Sequence, residues 1–263
     1  MRKKLGFLAL FLSTVFQYAC EKVIDVDLNS AGYQYVVEGT VVNQADSQVV
    51  KISRSVAVSD ASVFPAVSGA TVTVTDDQGG QFAFRERRPG VYSSRRLRGT
   101  PGRTYTLNVQ VEGNVFTASS RMPAQVAIDS IGVSMTSFFD EEQKTVQLLF
   151  SDPPNRANYY RYVLGVNGKK SRNIFAYNDE FTDGRKVNRE LFDFDLNLKT
   201  GDIAHVEMHC IDAVLYRYWQ GLDQNENRGG ASTTPANPVT NIKGGALGYF
   251  SAHTVQRESV VIP

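Results

Sequence analysis

Several things are scarce in this chain, and each scarcity excludes a class of protein. Cys20 and Cys210 are the only cysteines in 263 residues, so no multi-bridge disulfide framework can be built. Three histidines leave few soft metal ligands. Neither charge sign dominates: 28 basic and 27 acidic side chains give a formal net charge of +1, and such a balance argues against a nucleic-acid partner. No apolar run reaches the roughly 20 residues that a transmembrane helix needs. The sequence has no G-x-S-x-G elbow and no phosphate-binding P-loop. It therefore reads as a non-catalytic protein, with no cofactor and no metal assigned.

What is present begins with an address. Arg2, Lys3 and Lys4 precede an apolar run from Leu5 to Phe16, and the small residue Ala19 stands directly before Cys20. That order is a secretory leader, here residues 1–19. A cysteine at this position resembles the acceptor of a bacterial lipobox, although Gln17 stands where leucine is usual. Cys20 is thus the expected lipidation site, followed by a tether over 20–32. More than one acyl chain is needed for stable anchoring, and a triacylated cysteine supplies that without a protein helix. With Cys20 acylated, Cys210 in "VEMHCI" has no disulfide partner and is expected to be a small buried residue.

From Tyr33 to Met122 apolar and polar residues alternate in short runs: "YQYVVEGTVV", "VVKISRSV", "ATVTVTD", "GQFAFRE", "GVYSS", "RTYTLNVQVEG" and "VFTASSRM". Period two with many Val, Thr, Tyr and Phe predicts half-buried strands, and "DDQGG", "RPG", "GTPG" and "EGN" supply the turns. Seven such strands predict a β-sandwich over 33–122, resembling immunoglobulin-like or prealbumin-like surface modules. Pro123 marks a boundary. A second strand series over 127–263 predicts another sandwich, interrupted by "DAVLYRYWQGLDQNE". There Val214, Leu215, Tyr218, Trp219 and Leu222 form a helical stripe over 212–226, with Asp212 as N-cap. A long polar loop over 225–245 follows. The predicted fold is mainly β, two sandwiches with one inserted helix.

Five stretches, "CEKVIDVDL", "VSGATVTVTDDQG", "PGRTYTLNVQVEG", the "YRYW" helix and "GALGYFSAHTVQRESVVIP", occur in an order that resembles one family. It is the family of outer-membrane lipoproteins of Bacteroidota classed as domain of unknown function 4249. The resemblance implies an outer-membrane lipoprotein, often encoded beside a TonB-dependent transporter, and it brings no catalytic residues.

Two roles follow. One is an accessory subunit that docks on such a transporter for nutrient capture or uptake. The other is a free-standing surface protein that binds glycan or peptide. The expected docking residues lie on the side of the helix opposite its apolar stripe: Tyr216, Arg217, Gln220 and Asp223. "RERRPGVYSSRRLRGTPGR" concentrates seven arginines. Arg85, Arg87, Arg88, Arg95, Arg96 and Arg98 are candidates for contact with anionic groups, and the alternative is a solvated hairpin. Ser130 in "DSI" resembles an O-glycosylation acceptor. His205 and His209 fall in an alternating strand, about 13 Å apart on one face, too far to share one ion. "DFDLNL" is expected as a strand with a solvated acidic face. The acidic turn Asn178–Gly184, with Asp179, Glu180 and Asp183, remains open as a calcium position. The location expected from the leader and the resemblance is the outer membrane, lipid-anchored, more on the cell surface than on the periplasmic side.

The leader can be tested directly. Replacing Cys20 with alanine should shift the protein from the membrane fraction to the soluble one and abolish palmitate labelling. A variant that stays membrane-bound, with an unlabelled wild type, would defeat the anchor.

Overall fold

The computed structural model describes residues 33–45, 48–56, 64–138, 141–226 and 237–263. The leader, Cys20, the tether and residues 227–236 of the long loop lie outside the described residues. Tyr33–Pro263 forms one compact unit. It is mainly β, with fifteen strands in two sheets and one helix among the described residues.

The first seven strands are β1 (Tyr35–Val42), β2 (Gln48–Arg54), β3 (Thr71–Asp76), β4 (Gln81–Arg88), β5 (Val91–Ser94), β6 (Thr104–Val111) and β7 (Asn114–Arg121). Alternation places Val37 and Val41 inward on β1, and Leu107 and Val109 inward on β6. β8 (Ile128–Phe138), β9 (Glu141–Ser151) and β13 (Lys186–Leu191) make the three-stranded sheet, in the order β13-β9-β8. β10 (Tyr159–Val166), β11 (Lys169–Lys170), β12 (Phe175–Asn178), β14 (Ile203–Ile211) and β15 (Leu247–Val261) belong to the large sheet. β9 faces β10 across a second core, where the Phe150 ring meets Tyr160 edge-on at 5.1 Å.

The halves of the chain are not independent in sequence. Met122 belongs to the first hydrophobic cluster and Val126 to the second. Yet Ile242, Ala246, Phe250 and Ala252, from the far end of the chain, sit in the first cluster. The reason is β15. Its first half pairs with β1 in parallel, Val36 opposite Leu247 through Val42 opposite His253. Its second half pairs with β14 in antiparallel, Cys210 opposite Thr254 through Ile203 opposite Val261.

Residues just before β15 close the first half. Thr117 and Lys243 exchange backbone hydrogen bonds at 3.1 and 2.7 Å. The Asn241 side chain accepts from the Phe250 amide at 2.9 Å and donates to the Phe250 and Ser119 carbonyls. The segment "DFDLNL" is a turn rather than a strand. Asp193 is buried there, accepting from the hydroxyl of the remote Ser171 at 2.5 Å and from the Asp195 amide at 2.8 Å, and those bonds replace a strand ladder.

Gly248 makes the β1–β15 ladder possible. Its φ is +97°, and a Cβ there would collide with the Val37 carbonyl oxygen. Gly248→Ala should destabilise the protein by on the order of 3 kcal/mol in urea denaturation. A loss below ~0.5 kcal/mol would show that the ladder tolerates a side chain there.

Candidate functional site

Three strand pairings place polar side chains on one outward face of the large sheet. Arg161 on β10 lies opposite His209 on β14, and Glu207 opposite Arg257 on β15. On the other side of β15, Ser251 lies opposite Thr40 and His253 opposite Val42. The helix α1 (Ala213–Glu226) leaves β14 directly and covers this face. Its start is set by Asp212, whose Oδ1 accepts the Val214 and Leu215 amides at 3.0 and 2.9 Å. The second carboxylate oxygen, Oδ2, accepts the Ser120 hydroxyl at 2.6 Å, so the cap also ties the helix to β7. The helix therefore starts at Ala213, directly after the expected cap Asp212.

The result is a cavity of about 200 Å³ with Arg161, Glu207, His209, Trp219, Tyr249 and His253 in its walls. The Arg161 guanidinium stacks on Trp219, 3.7 Å from the ring centre, and makes no hydrogen bond to another described residue. Burial pulls its pKa down, while Tyr249 and Glu207 push the other way. Glu207 is held at about 2, first by its hydrogen bond with His209 and then by Arg257, against the cost of burial. Its carboxylate lies 3.0 Å from His209 Nε2 and 2.8 Å from Arg257 Nε. The His209 and His253 rings stack at 4.6 Å, and His253 Nδ1 lies 2.8 Å from the Ser251 hydroxyl. Tyr249, pushed up to about 12 by burial, packs edge-on against Trp219.

Chemically the cavity has a donor surplus. Glu207 already neutralises Arg257, and the two imidazoles are neutral near pH 7, so Arg161 is the uncompensated charge. An aromatic wall beside a guanidinium with free donors suits a small acidic or sugar-like ligand. Stacked imidazoles do not converge on one ion. The histidines are buried for packing and hydrogen bonding, and the His209–His253 partnership, unlike the His205–His209 spacing, has no trace in sequence separation.

On α1, Tyr218 and Trp219 pack on Tyr249, and Leu215 is buried. Tyr216 does not face outward: its ring stacks on Tyr159 at 5.1 Å and its hydroxyl accepts from the Gln220 amide. The pull of a second aromatic on β10 outweighs solvation of the phenol. Arg217 and Gln224 are exposed, and Asp223 is half-buried. An open groove of about 250 Å³ runs along Arg217, Gln220, Gly221 and Gln224 to Pro238 and the exposed Val239.

Arg85, Arg87, Arg95 and Arg96 line one pocket of about 330 Å³ with Ser93 and Ser94, because β4 alternation and the β4–β5 pairing aim them to one side. Glu86, on the opposite side of β4, accepts the Gly69 and Gly90 amides instead. Arg88 follows an irregularity in the β4–β5 register and stands outside the pocket, and Arg98 donates to the Asn43 carbonyl at 3.0 Å. Ser130 is exposed on β8, and Cys210 is buried, its thiol pushed up by burial. A further cavity of about 510 Å³ lies where Arg121 to Ala124 meet Arg156 to Tyr159 and Cys210 to Ala213.

This architecture defines a class: a two-sheet, mainly β protein with a helix closing a polar face. The chain belongs to the family described as Domain of unknown function (DUF4249), whose model matches residues 21–259. No curated protein matches it. No helix of the described residues is long and apolar enough to cross a membrane.

The histidine pair gives a pH signature. Burial lowers both pKa values below 6.5, so the unfolded chain takes up protons first, and stability is lost as pH falls below about 6.5. Asp152, raised by burial, acts in the opposite sense. Thermal midpoints should fall between about pH 7 and about pH 5, and less steeply in His253→Gln. Equal slopes in wild type and variant would remove the histidines as the cause.

Proposed function

We propose that the chain is a non-catalytic lipoprotein of the outer membrane, anchored through Cys20 on the cell surface, that docks as an accessory subunit on a TonB-dependent transporter in nutrient capture or uptake. The carrying observation is the groove along α1. The helix spends its aromatic side chains on the sheet, yet keeps Arg217, Gln220 and Gln224 beside Val239, which is 63% exposed. A groove with an arginine, amides and an unpartnered apolar side chain suits a protein surface. The leader order and the family resemblance support the location.

The non-catalytic reading rests on the polar face. Ser251 and His253 are neighbours two residues apart on one strand, and Ser251 is 2% exposed. A nucleophile needs an accessible oxygen and a base oriented by a third group. Here the ring stacked on His253 is another neutral imidazole.

The second reading, a free-standing binder of glycan or peptide, draws on the Arg161–Trp219–Tyr249 cavity and on the arginine pocket around Ser93. Both readings leave nucleic acid aside.

A photo-crosslinking residue in place of Arg217, in native membranes, separates them. Docking predicts a stoichiometric crosslink to a TonB-dependent β-barrel, and none from Lys186 on the three-stranded sheet. Absence of that crosslink, together with quenching of Trp219 by an acidic sugar such as glucuronate, would favour the free-standing binder. Trp219 is the sole tryptophan, so the signal reports on the cavity alone.

A further inference from the structure

Three strand ends converge at one corner of the second core. Asp152 follows β9, and its amide donates to the Arg185 carbonyl at 2.9 Å. Asp179 follows β12, and its Oδ2 accepts the Asn158 amide at 2.7 Å. Asp183 lies in the turn from Asp179 to Arg185, which is closed by amides of Thr182 and Asp183 donating to the Asp179 carbonyl at 2.8 and 2.9 Å. Gly184, at φ +69°, lets that turn rest against Pro154.

One carboxylate oxygen from each of Asp152, Asp179 and Asp183 lies within 4.8 Å of the others. Two of the three side chains are buried, Asp152 at 3% and Asp179 at 7% exposure. Among the described residues no lysine or arginine pairs with any of them. A separate fact concerns Asp152 alone. Its Oδ1 accepts the Tyr160 hydroxyl, while its Oδ2 is buried with no hydrogen-bond partner. A buried acceptor left unmade is costly, and a buried carboxylate oxygen beside two more carboxylates is costlier. Burial, opposed by the Tyr160 bond and by the nearby Gly184 amide, raises the Asp152 pKa together with the neighbouring Asp179 and Asp183.

We propose that Asp152, Asp179 and Asp183 bind one calcium ion. The donors are all oxygen, which selects a hard cation. Calcium holds its oxygens at about 2.4 Å, so oxygens of one site are at most about 4.8 Å apart across the ion, and these three lie within that limit. Asp152 Oδ2 gains the partner that the protein does not supply. Three carboxylates from separate stretches of chain, with water in the remaining positions, impose no octahedral frame, which calcium's flexible shell accepts and magnesium, octahedral and smaller, accepts less well. Asp183, at the surface, is the side from which the ion enters. The acidic turn noted in the sequence thus supplies two ligands, and the third comes from 27 residues earlier, in place of the exposed Glu180. The ion would tie the end of β9 to the turn before β13 and would be independent of the transporter reading.

Equilibrium dialysis of the detergent-solubilised full chain against radiolabelled calcium chloride tests this, with thermal unfolding in calcium, magnesium or EDTA beside it. One ion per chain should bind, and calcium should raise the midpoint by several degrees more than magnesium. Asp183→Asn, at an exposed position, should weaken binding about tenfold or more. Asp152→Asn should lose binding, yet melt in EDTA no lower than wild type, since one of the crowded charges is gone. The proposal is overturned if wild type binds no calcium at about 5 mM, above the weak end of extracellular sites, or if Asp183→Asn binds as tightly as wild type.

Discussion

Strand β15 pairs with β1 in parallel over Leu247–His253 and with β14 in antiparallel over Thr254–Val261, and both hydrophobic clusters depend on that continuous ladder. Phe250 and Ala252 enter the first core from this strand, and Val260 and Ile262 at the chain end pack on the second. The parallel pairing of β1 with β15 closes the chain between Val36 and Leu247 into one long loop. Its entropy cost is set mostly by the closure itself and grows slowly with length. It is offset by burial on both faces of β15 between Phe250 and Val255. The absence of a side chain at Gly248 is the local condition for it.

The polar face follows from the same ladder. The β14–β15 register sets Glu207 opposite Arg257, and the β10–β14 register beside it sets Arg161 opposite His209. α1 then covers them, because Leu215, Tyr218 and Trp219 have apolar area to bury and the aromatic ring of Tyr249 meets them. Charge is handled differently on the two faces of β10. At Arg161 a guanidinium rests on an indole with no carboxylate of its own. At Tyr160, next along the strand and pointing to the other face, the phenol donates to a carboxylate crowded by two more acids. One strand thus borders a site with surplus positive charge and a site with surplus negative charge, separated by the sheet.

Much of the fold is legible in the residues. Alternation of Val, Thr and Tyr marks β1 to β7, turn residues mark their ends, and Asp212 with the stripe to Leu222 marks α1. These signals are local: side-chain period, φ preferences of glycine and the capping of free amides act over a few residues. Errors fall where partners are remote. "DFDLNL" alternates like a strand, but Ser171, far away in sequence, takes Asp193 into a buried turn. Tyr216 reads as exposed until Tyr159 is brought beneath it.

The sequence by itself determined β1 to β7, the helix start and its cap, and the crowding of arginines between Arg85 and Arg98, because each depends on neighbours along the chain. Only the tertiary structure decided which of those arginines share a pocket, that His209 stacks on His253, that Arg161 lies on Trp219, and that Asp152 joins Asp179 and Asp183. Each of these is a meeting of residues from different strands. Strand register, which a one-residue slip would turn inside out, is set by packing of the whole sheet and not by any local preference.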